Sequence, residues 1–303
     1  MKSKIILVVG CVLLLTLVVI GIVIQNQPVT ANDKGFYLLD GYAFEQGDPY
    51  SEESAIRLAE KINSLQVSCF PENPVYVAII PEKEYYADHR APEKLDFDAL
   101  TAKVKENLSD AEFIELADVL ALESYYYTDP HWKQDALFPV VEQLGAHMQF
   151  VVFPEKFDPE TFDAFQGTCA SYIDLEGKTE TMTWLFDDAI ENAEVSYYDH
   201  PETKAVYNTA HLSENPYDLF LEGATPLLTI DNPQCATGRT LILFRDSFGS
   251  SLAPLLINQY SRIVMVDIRY MISDLLPQMV DFTDAEVLFL YSASVANESR
   301  VLR

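Results

Sequence analysis

The chain has 303 residues, of which 47 are acidic and 20 are lysine or arginine, so its formal net charge at pH 7 is −27. The simplest interpretation of this charge is that it keeps the protein soluble. The charge also repels polyanions, so neither nucleic-acid binding nor a polyphosphate substrate is expected. A neutral or cationic glycan is compatible with it. The length is sufficient for a single core of the α/β type.

The first 24 residues are predicted to form a cytoplasmic stub and a transmembrane anchor. Lys2 and Lys4 precede residues 5–24, a run of twenty residues without a charge. As a helix this run is about 30 Å long, which matches the hydrocarbon core of a bilayer. The lysines place the N-terminus in the cytoplasm and the rest of the chain outside. The alternative is a cleaved signal peptide, with cleavage after Ala31 and a secreted product.

After a polar linker over residues 25–35, helical and strand patterns alternate along the chain. Apolar residues at helical spacing predict helices, and continuous apolar runs predict buried strands. The predicted elements are, in chain order, a helix at 51–65, a strand at 75–80, a helix at 97–108, a strand at 113–116, a helix at 132–148 followed by the apolar run 150–153, a strand at 240–244, a helix at 247–256, a strand at 263–266, a helix at 274–280 and a strand at 287–291.

Residues 158–231 interrupt this alternation. They are rich in aromatic and acidic residues and contain several short possible strands, so we expect an insertion or an antiparallel flank rather than a separate domain. The alternation on either side predicts one extracytoplasmic α/β domain over residues 36–303. Its sheet should be mostly parallel and covered by helices on both faces.

A carboxylate and an imidazole lie two residues apart in the loop Asp129-Pro130-His131. At this spacing Asp129 can hold Nδ1 of His131 and leave Nε2 free to accept a proton. Ser247 follows the predicted strand at 240–244, at the edge where open parallel sheets place their ligands. If the fold brings the serine to the histidine, the three residues predict nucleophilic acyl chemistry.

Simpler interpretations of the same residues remain open. A serine at a strand–helix junction is often an N-cap rather than a nucleophile. The Asp129–His131 pair could also be half of a metal site that Asp88 and His89 complete. Asp88 and His89 lie in a polar stretch, however, where surface exposure is the simpler explanation.

Three cysteines follow the predicted anchor, namely Cys69, Cys169 and Cys235. Their wide spacing and odd number indicate neither a zinc site nor a disulfide framework, although one disulfide of undefined pairing is possible. We therefore expect neither a metal nor a cofactor.

The segment Thr128-Asp129-Pro130-His131-Trp132 resembles the T-D-x-H-W signature of the DHHW family, which is related to the SGNH-like O-acetyltransferase domains of alginate biosynthesis. Further segments resemble other motifs of this family in the same order, over residues 35–295. They are Pro81-Glu82-Lys83 for P-x-K, residues 165–168 for F-x-G-S, residues 221–223 for F-x-G-G, Arg245-Asp246-Ser247-Phe248 for K-D-S-[FY], and Asp267-Ile268-Arg269-Tyr270 for D-x-R-Y.

The resemblance implies a three-layer α/β/α fold of the SGNH-hydrolase type, which is flavodoxin-like, with the Asp–His pair ahead of the serine. It implies that Ser247 is the nucleophile, His131 the base and Asp129 the orienting acid. A Gly-x-Asn block that would supply an asparagine to the oxyanion hole is missing from the sequence. The N–H groups of Ser247 and Gly223 are therefore expected to form that hole.

Three other residues of these motifs are candidates for substrate binding, namely Lys83, Trp132 and Arg269. For Lys83 and Arg269 a structural ion pair is the favoured alternative, and Trp132 could instead be a core anchor.

The resemblance and the predicted anchor together imply a membrane-anchored, extracytoplasmic serine esterase or O-acyltransferase. Its substrate would be a carbohydrate polymer of the cell envelope or an exported polysaccharide, and the group transferred would be acetyl. The donor would be another membrane protein that delivers the acyl group, or an ester already on the glycan. The alternative is a catalytically inactive glycan-binding or envelope-assembly module, and a metal-dependent hydrolase is third.

Overall fold

The computed structural model describes residues 26–303. The predicted anchor at residues 5–24 lies outside the described residues. Within residues 26–303, no helix combines the length and the apolar character that a bilayer crossing requires. The described residues form a mixed α/β structure around one large, mostly parallel sheet, as the alternating sequence pattern predicts.

Apolar runs form the central strands, whose side chains are buried on both faces of the sheet. Such continuous burial is typical of parallel strands that helices cover on both sides. The strands of residues 26–303 are β1 Phe36–Leu39, β2 Tyr42–Glu45, β3 Val75–Ile80, β4 Glu112–Phe113, β5 Asp158–Phe165, β6 Glu180–Phe186, β7 Glu194–Tyr197, β8 His200–Lys204, β9 Leu227–Asp231, β10 Thr240–Arg245, β11 Arg262–Val266 and β12 Ala285–Ser292.

The first helix begins where the sequence predicts it. The Ser51 side chain accepts a hydrogen bond from the Ser54 N–H, and acidic residues occupy the first turn, which favours a helix N-terminus. The α-helices of the described residues are α1 Glu52–Cys69, α2 Phe97–Asn107, α3 Phe138–Met148, α4 Asp188–Glu191, α5 Phe248–Leu256, α6 Leu276–Met279 and α7 Ala293–Asn297.

The large sheet contains eight strands within residues 26–303, in the order β4-β3-β12-β10-β11-β9-β7-β8. The first five run parallel. The last three are antiparallel and extend one side of the sheet. Since β3, β12, β10 and β11 run parallel, the loops that follow them meet at one edge, where ligand sites of such sheets lie.

Helices cover both faces of the sheet and make it the middle of three layers. Along β10, Leu241 and Leu243 join a core cluster with α3 and α5. The alternate residues Ile242 and Phe244 join a second cluster with α1 and α2 on the other face. The period of two along the strand thus divides its apolar side chains between two cores.

Several predicted elements are shorter in the structure or absent from it. The helix predicted at 132–148 begins only at Phe138, because proline fits the first turn of a helix and not its interior, and Pro139 stands there. His131 therefore lies in a loop and does not begin a helix. The strand predicted at 113–116 is reduced to the two residues of β4 at the sheet edge.

Two further predictions in apolar segments need correction. The apolar run 150–153 has no strand pairing, since Gln149 ends α3 in the left-handed conformation and turns the chain away from the helix. The helix predicted at 274–280 is a 3₁₀ turn, Ser273–Leu275, followed by the single turn α6, which has a proline near its start.

The irregular segment 158–231 divides between two places in the fold. Strands β5 and β6 form a separate antiparallel hairpin, and β7, β8 and β9 extend the main sheet beyond β11. The hairpin reaches the loop that contains Asp129 through Thr168, between its two strands, and Tyr217 reaches the same loop from the segment between β8 and β9.

Candidate active site

Ser247 lies between the end of β10 and the first residue of α5, and its hydroxyl does not cap the helix. The preceding carboxylate does so instead, since Asp246 Oδ1 accepts a hydrogen bond from the Phe248 N–H at 3.0 Å. Asp246 Oδ2 accepts a second one from the Ser292 N–H at 2.7 Å, which ties the end of β10 to the end of β12. The N-cap interpretation of Ser247 is therefore wrong, and its hydroxyl is available to another group.

That other group is His131, which the fold brings to the serine across 116 positions of sequence. The His131 Nε2 and Ser247 Oγ atoms are 2.7 Å apart. On the other side of the ring, His131 Nδ1 is 2.6 Å from Asp129 Oδ1. If Nδ1 carries the proton that Asp129 accepts, Nε2 is left to accept the hydrogen bond of the Ser247 hydroxyl. These are the contacts of a serine–histidine–aspartate triad.

Asp129 is fully buried and is held by hydrogen bonds from two loops. Its Oδ1 also accepts from the His131 N–H at 3.0 Å, and its Oδ2 accepts from the Thr168 N–H and hydroxyl at 2.9 and 3.0 Å. Burial alone raises the pKa of Asp129, but the imidazole of His131 and these hydrogen bonds outweigh it, so the pKa falls to about 2. The carboxylate is therefore ionised at neutral pH and can stabilise a positively charged imidazole.

A glycine permits the approach of the loop that carries Thr168. A Cβ atom added at Gly167 would lie 2.2 Å from the Asp129 Cβ and 2.6 Å from the Thr128 oxygen. The Gly167 N–H also donates to the Thr128 hydroxyl at 2.9 Å. Any larger residue at this position would push Thr168 away from Asp129.

Two charged side chains hold the backbone around Asp129. The Glu180 carboxylate accepts from the N–H groups of Tyr127 and Thr128 at 2.8 and 2.7 Å, and from the Thr128 hydroxyl at 2.6 Å. The Lys83 ammonium donates to the carbonyl oxygens of Tyr126 and Asp129 at 2.9 and 2.8 Å. Lys83 is buried and engaged with these carbonyls, which corrects its prediction as a substrate-binding residue.

Trp132 is also buried rather than exposed to a substrate, and the prediction that it binds one is corrected in the same way. Its indole N–H donates to the Phe248 carbonyl and to the Ser251 hydroxyl, at 3.1 and 2.8 Å. Because Phe248 and Ser251 belong to the helix that follows Ser247, Trp132 ties the histidine loop to the serine. The His131 ring in turn stacks on Tyr217, with centroids 3.9 Å apart and planes at 13°.

Arg269 is the predicted substrate-binding residue that remains partly exposed in the candidate site. Its guanidinium makes a forked ion pair with Asp267, with Nε–Oδ1 at 2.9 Å and Nη2–Oδ2 at 2.7 Å. Asp267 lies 3.9 Å from the guanidinium of the buried Arg245 as well. The favoured structural ion pair is thus present, while one side of Arg269 still faces the cavity described below.

Gly223 does not have the free N–H that an oxyanion hole requires. Its N–H donates to the Phe220 carbonyl at 3.3 Å, and the residue is not among those that line the cavity at Ser247. The prediction of Gly223 as an oxyanion donor is therefore wrong. The remaining candidate is the Ser247 N–H at the start of α5, where the orientation of the peptide dipoles favours negative charge.

Ser247 and His131 line a cavity of about 340 Å³ at the carboxyl ends of β3, β10, β11 and β12. Burial raises the pKa of Glu82, one of its lining residues, to about 7, and the carboxylates of Asp246 and Glu84 add to this shift. The cavity is acidic overall. Its ionisable lining residues, apart from His131, are Glu45, Asp48, Glu82, Lys83, Glu84, Asp246, Arg269 and Glu298.

A larger concavity of 790 Å³ lies at the other edge of the sheet, near the amino ends of β10 and β11. None of its lining residues is a serine or a histidine, so size alone does not indicate where the chemistry could occur. Among residues 26–303 no group of three or more His, Cys, Asp or Glu side chains is arranged to bind a metal ion. Cys69, Cys169 and Cys235 are separate thiols.

Sequence reasoning did not identify Thr168, Glu180, Tyr217 or Glu82 as parts of the site. Thr168 lies in the segment that resembles F-x-G-S, and this was the one signal that could have marked it. Glu180 and Tyr217 have no local pattern that distinguishes them from the many other acidic and aromatic residues of 158–231. Their positions depend on how that segment folds back onto the histidine loop.

Among solved structures, the fold is similar to that of a DHHW family protein from Eubacterium siraeum, with a TM-score of 0.73 and 17% identity. The match covers 89% of this chain and 95% of that one. Bacillus cereus PatB1, also solved with a sulfonyl adduct, is similar with a TM-score of 0.67, 14% identity, and coverage of 86% and 96%. The O-acetyltransferase domain of Pseudomonas putida AlgJ is similar with a TM-score of 0.52 and 12% identity, and the match covers 87% of this chain and 92% of that one. No family model and no curated protein matches the chain. The resemblance to the DHHW family and to SGNH-like O-acetyltransferase domains is thus confirmed at the level of the fold.

Proposed function

We propose that this chain is a serine-dependent O-acyltransferase or esterase that acts on a polysaccharide, with acetyl as the transferred group. The observation that carries the proposal is the contact of 2.7 Å between Ser247 Oγ and His131 Nε2, continued by 2.6 Å from Nδ1 to Asp129. A chain of this kind activates a hydroxyl that is otherwise a weak nucleophile.

In the first half of the reaction, Ser247 Oγ attacks the carbonyl carbon of an ester while His131 Nε2 takes the serine proton. Asp129, ionised because its pKa is about 2, stabilises the resulting imidazolium. The oxyanion forms near the Ser247 N–H at the start of α5. Return of the proton from His131 to the leaving alcohol breaks the ester bond and leaves an acyl group on Ser247.

In the second half, a sugar hydroxyl or water attacks the acyl group. His131 takes the proton of the acceptor and passes it to Ser247 Oγ as the bond between the serine and the acyl group breaks. Transfer and hydrolysis share the acyl-enzyme and differ only in which acceptor reaches it. Among the residues that line the cavity at Ser247, acidic side chains outnumber lysine and arginine, which favours a neutral or cationic acceptor over an acidic one.

The similarity to a structure described as an O-acetyltransferase domain supports acetyl as the group transferred. We further propose that the chain works outside the cytoplasmic membrane, anchored by residues 5–24, and that another membrane protein or an ester on the glycan supplies the acyl group. The uncharged run and the two preceding lysines support this placement.

The test uses the full chain in detergent, with 4-nitrophenyl acetate as substrate and phenylmethylsulfonyl fluoride as label. We expect ester turnover and one sulfonyl group on Ser247, located by mass spectrometry. Both should be lost in Ser247→Ala and in His131→Ala. Ser68→Ala, which changes an exposed serine of α1, is the control and should behave as wild type.

A non-catalytic glycan-binding module is the second candidate, and the engaged N–H of Gly223 favours it, because it removes one expected oxyanion donor. Folded protein that neither turns over the ester nor takes the label would support this candidate. Turnover that survives Ser247→Ala would contradict both.

A further inference from the structure

A second cavity, of about 480 Å³, adjoins the one at Ser247. The two share four lining residues, so together they form one groove that runs from the serine along the loops after β11 and β12. The shared residues are Arg269, Ser294, Val295 and Glu298. The proposed mechanism uses only the end of this groove that contains the serine.

Tyr270 lies in the second cavity with 54% of its surface exposed. At this exposure about half of a large aromatic side chain remains in contact with solvent. Its backbone is nevertheless held, because the Tyr270 N–H donates to the Asp267 carbonyl at 3.1 Å. The guanidinium of Arg269 lies 5.4 Å from the centre of the ring, and Arg269 is itself fixed by Asp267. The ring is therefore a supported surface at the side of the groove.

The groove offers the two kinds of contact that a pyranose ring needs. One face of such a sugar carries C–H groups and can cover an aromatic ring, while its hydroxyl groups need donors and acceptors at the edge. Tyr270 supplies the apolar face, and Arg269, Glu298 and Arg300 supply hydrogen-bonding groups around it. Few convergent polar groups around an apolar wall are typical of small-molecule sites.

The charges around Tyr270 favour a neutral sugar over an anionic one. Arg269 is neutralised by Asp267, and Arg300 is 3.3 Å from Glu53. Glu298 adds a negative charge that offsets the positive charge of Arg303, the remaining basic residue of the lining. The whole chain carries −27, which opposes the approach of an acidic polymer.

We propose that Tyr270 is the stacking platform of a second sugar subsite, which binds the neutral pyranose next to the one that reacts at Ser247. This subsite rests on the proposed function, since it assumes that a polysaccharide occupies the groove. In this proposal Tyr270 determines which acceptor sugar is bound, and it takes no part in the attack on the ester.

The test compares acetyl transfer from 4-nitrophenyl acetate to N,N′-diacetylchitobiose and to tetra-N-acetylchitotetraose with the hydrolysis of the ester alone, in the full chain. For the wild type we expect more O-acetylated product, measured by mass spectrometry, with the tetramer than with the dimer. In Tyr270→Ala, kcat/KM for the tetramer should fall about tenfold more than that for the ester. Tyr270→Phe, which keeps the ring, should retain most of the transfer.

Tyr198→Ala is the matched control, because Tyr198 is 68% exposed and lines neither cavity. Equal losses of transfer and hydrolysis in Tyr270→Ala would overturn the proposal, as would a wild type that hydrolyses the ester but acetylates neither oligosaccharide.

Calorimetric titration of Ser247→Ala protein with the tetramer separates this proposal from the proposed function. Binding that weakens about tenfold in the Ser247→Ala, Tyr270→Ala double variant supports the subsite even if the wild type turns over no ester. Binding that is unchanged in the double variant, or absent from both proteins, contradicts it whether or not Ser247 is a nucleophile.

Discussion

The two halves of the candidate triad are held in different ways. Ser247 follows β10, which pairs with β12 along its whole length on one side and with β11 from Thr240 to Phe244 on the other. Asp129 and His131 lie in a loop whose one strand-like contact is an isolated bridge between Tyr125 and Trp132. Backbone hydrogen bonds of a buried sheet therefore position the serine, whereas scattered contacts with other segments, most of them through side chains, position the acid and the base.

This difference predicts an asymmetry in how the site responds to substitution. The backbone hydrogen bonds between strands do not depend on the identity of any one side chain. Ser247 should therefore keep its position after most substitutions of neighbouring residues. The acid–base pair depends on Thr168, Glu180, Lys83 and Trp132, each through two or three hydrogen bonds. Changes to these residues should reduce activity without moving Ser247.

The largest expected effect comes from Asp129→Asn, which removes the carboxylate that holds His131 and leaves Ser247 in place. An amide at this position can favour the wrong tautomer of His131 and gives no charge to stabilise the imidazolium. We expect kcat for 4-nitrophenyl acetate to fall by about 10³- to 10⁴-fold. The thermal unfolding midpoint should change far less than the rate. A variant with nearly full activity would show that His131 needs no carboxylate.

A smaller effect is expected from Thr168→Val, which removes the hydroxyl bond to Asp129 Oδ2 and keeps the N–H bond. A hydrogen bond to a charged group is worth about 1.5–3 kcal/mol, and the bond that remains compensates part of this, so kcat should fall about tenfold with KM unchanged.

Thr168→Ser restores the hydroxyl and should recover the rate. Thr161→Val, in an exposed position of the same hairpin, is the control. If Thr161→Val lowers kcat as much as Thr168→Val does, the hairpin acts through its general stability and not through Asp129.

The smallest effect concerns Glu82, on the serine side of the cavity. Burial raises its pKa from 4.5 to about 7, so folding favours the protonated carboxyl. The stability that this group contributes is fully present below pH 4.5 and is lost as the pH rises through about 7. Because Glu82 is partly exposed, we expect a loss of only about 1 kcal/mol.

Denaturant unfolding of the wild type and of Glu82→Gln, measured from pH 5 to pH 8, checks this expectation. The variant should lack the decline. Asp129 has the opposite sign, since its lowered pKa stabilises the fold above pH 3.8, and this contribution is lost only as the pH falls through about 2. Parallel curves for the wild type and Glu82→Gln would mean that Glu82 titrates normally.

Local patterns predicted the parts of the fold that depend on local burial. The apolar run of β10 and the amphipathic pattern of α2 lie almost where the sequence indicates. The errors fall where a turn residue or an edge position overrides the pattern. Pro139 delays the start of α3, and β4, at the edge of the sheet, keeps only two residues.

The sequence also indicated the three residues of the candidate triad, because carboxylate, imidazole and hydroxyl carry recognisable chemistry. It misassigned Gly223 and left Lys83 and Trp132 between a substrate-binding role and a structural one, since a residue type does not reveal whether its polar atoms are already engaged. The polar groups of Lys83 and Trp132 bond to groups far away in sequence, and the Gly223 N–H bonds to the Phe220 carbonyl within its own turn. Burial and hydrogen-bond partners decide between a substrate contact and a structural one.

By itself, the sequence determined the mostly parallel sheet, the chemistry available at Asp129, His131 and Ser247, and the charge that disfavours polyanions. The tertiary structure alone decided that His131 meets Ser247 at 2.7 Å. It also decided that the hairpin of β5 and β6 supports Asp129, and that Tyr270 borders a groove leading to the serine. The physical reason is that the spacing of apolar residues in the sequence indicates only which residues of one helix or strand are buried. Contacts between distant segments depend instead on strand order, and β12, the last strand in sequence, lies between β3 and β10 in the sheet.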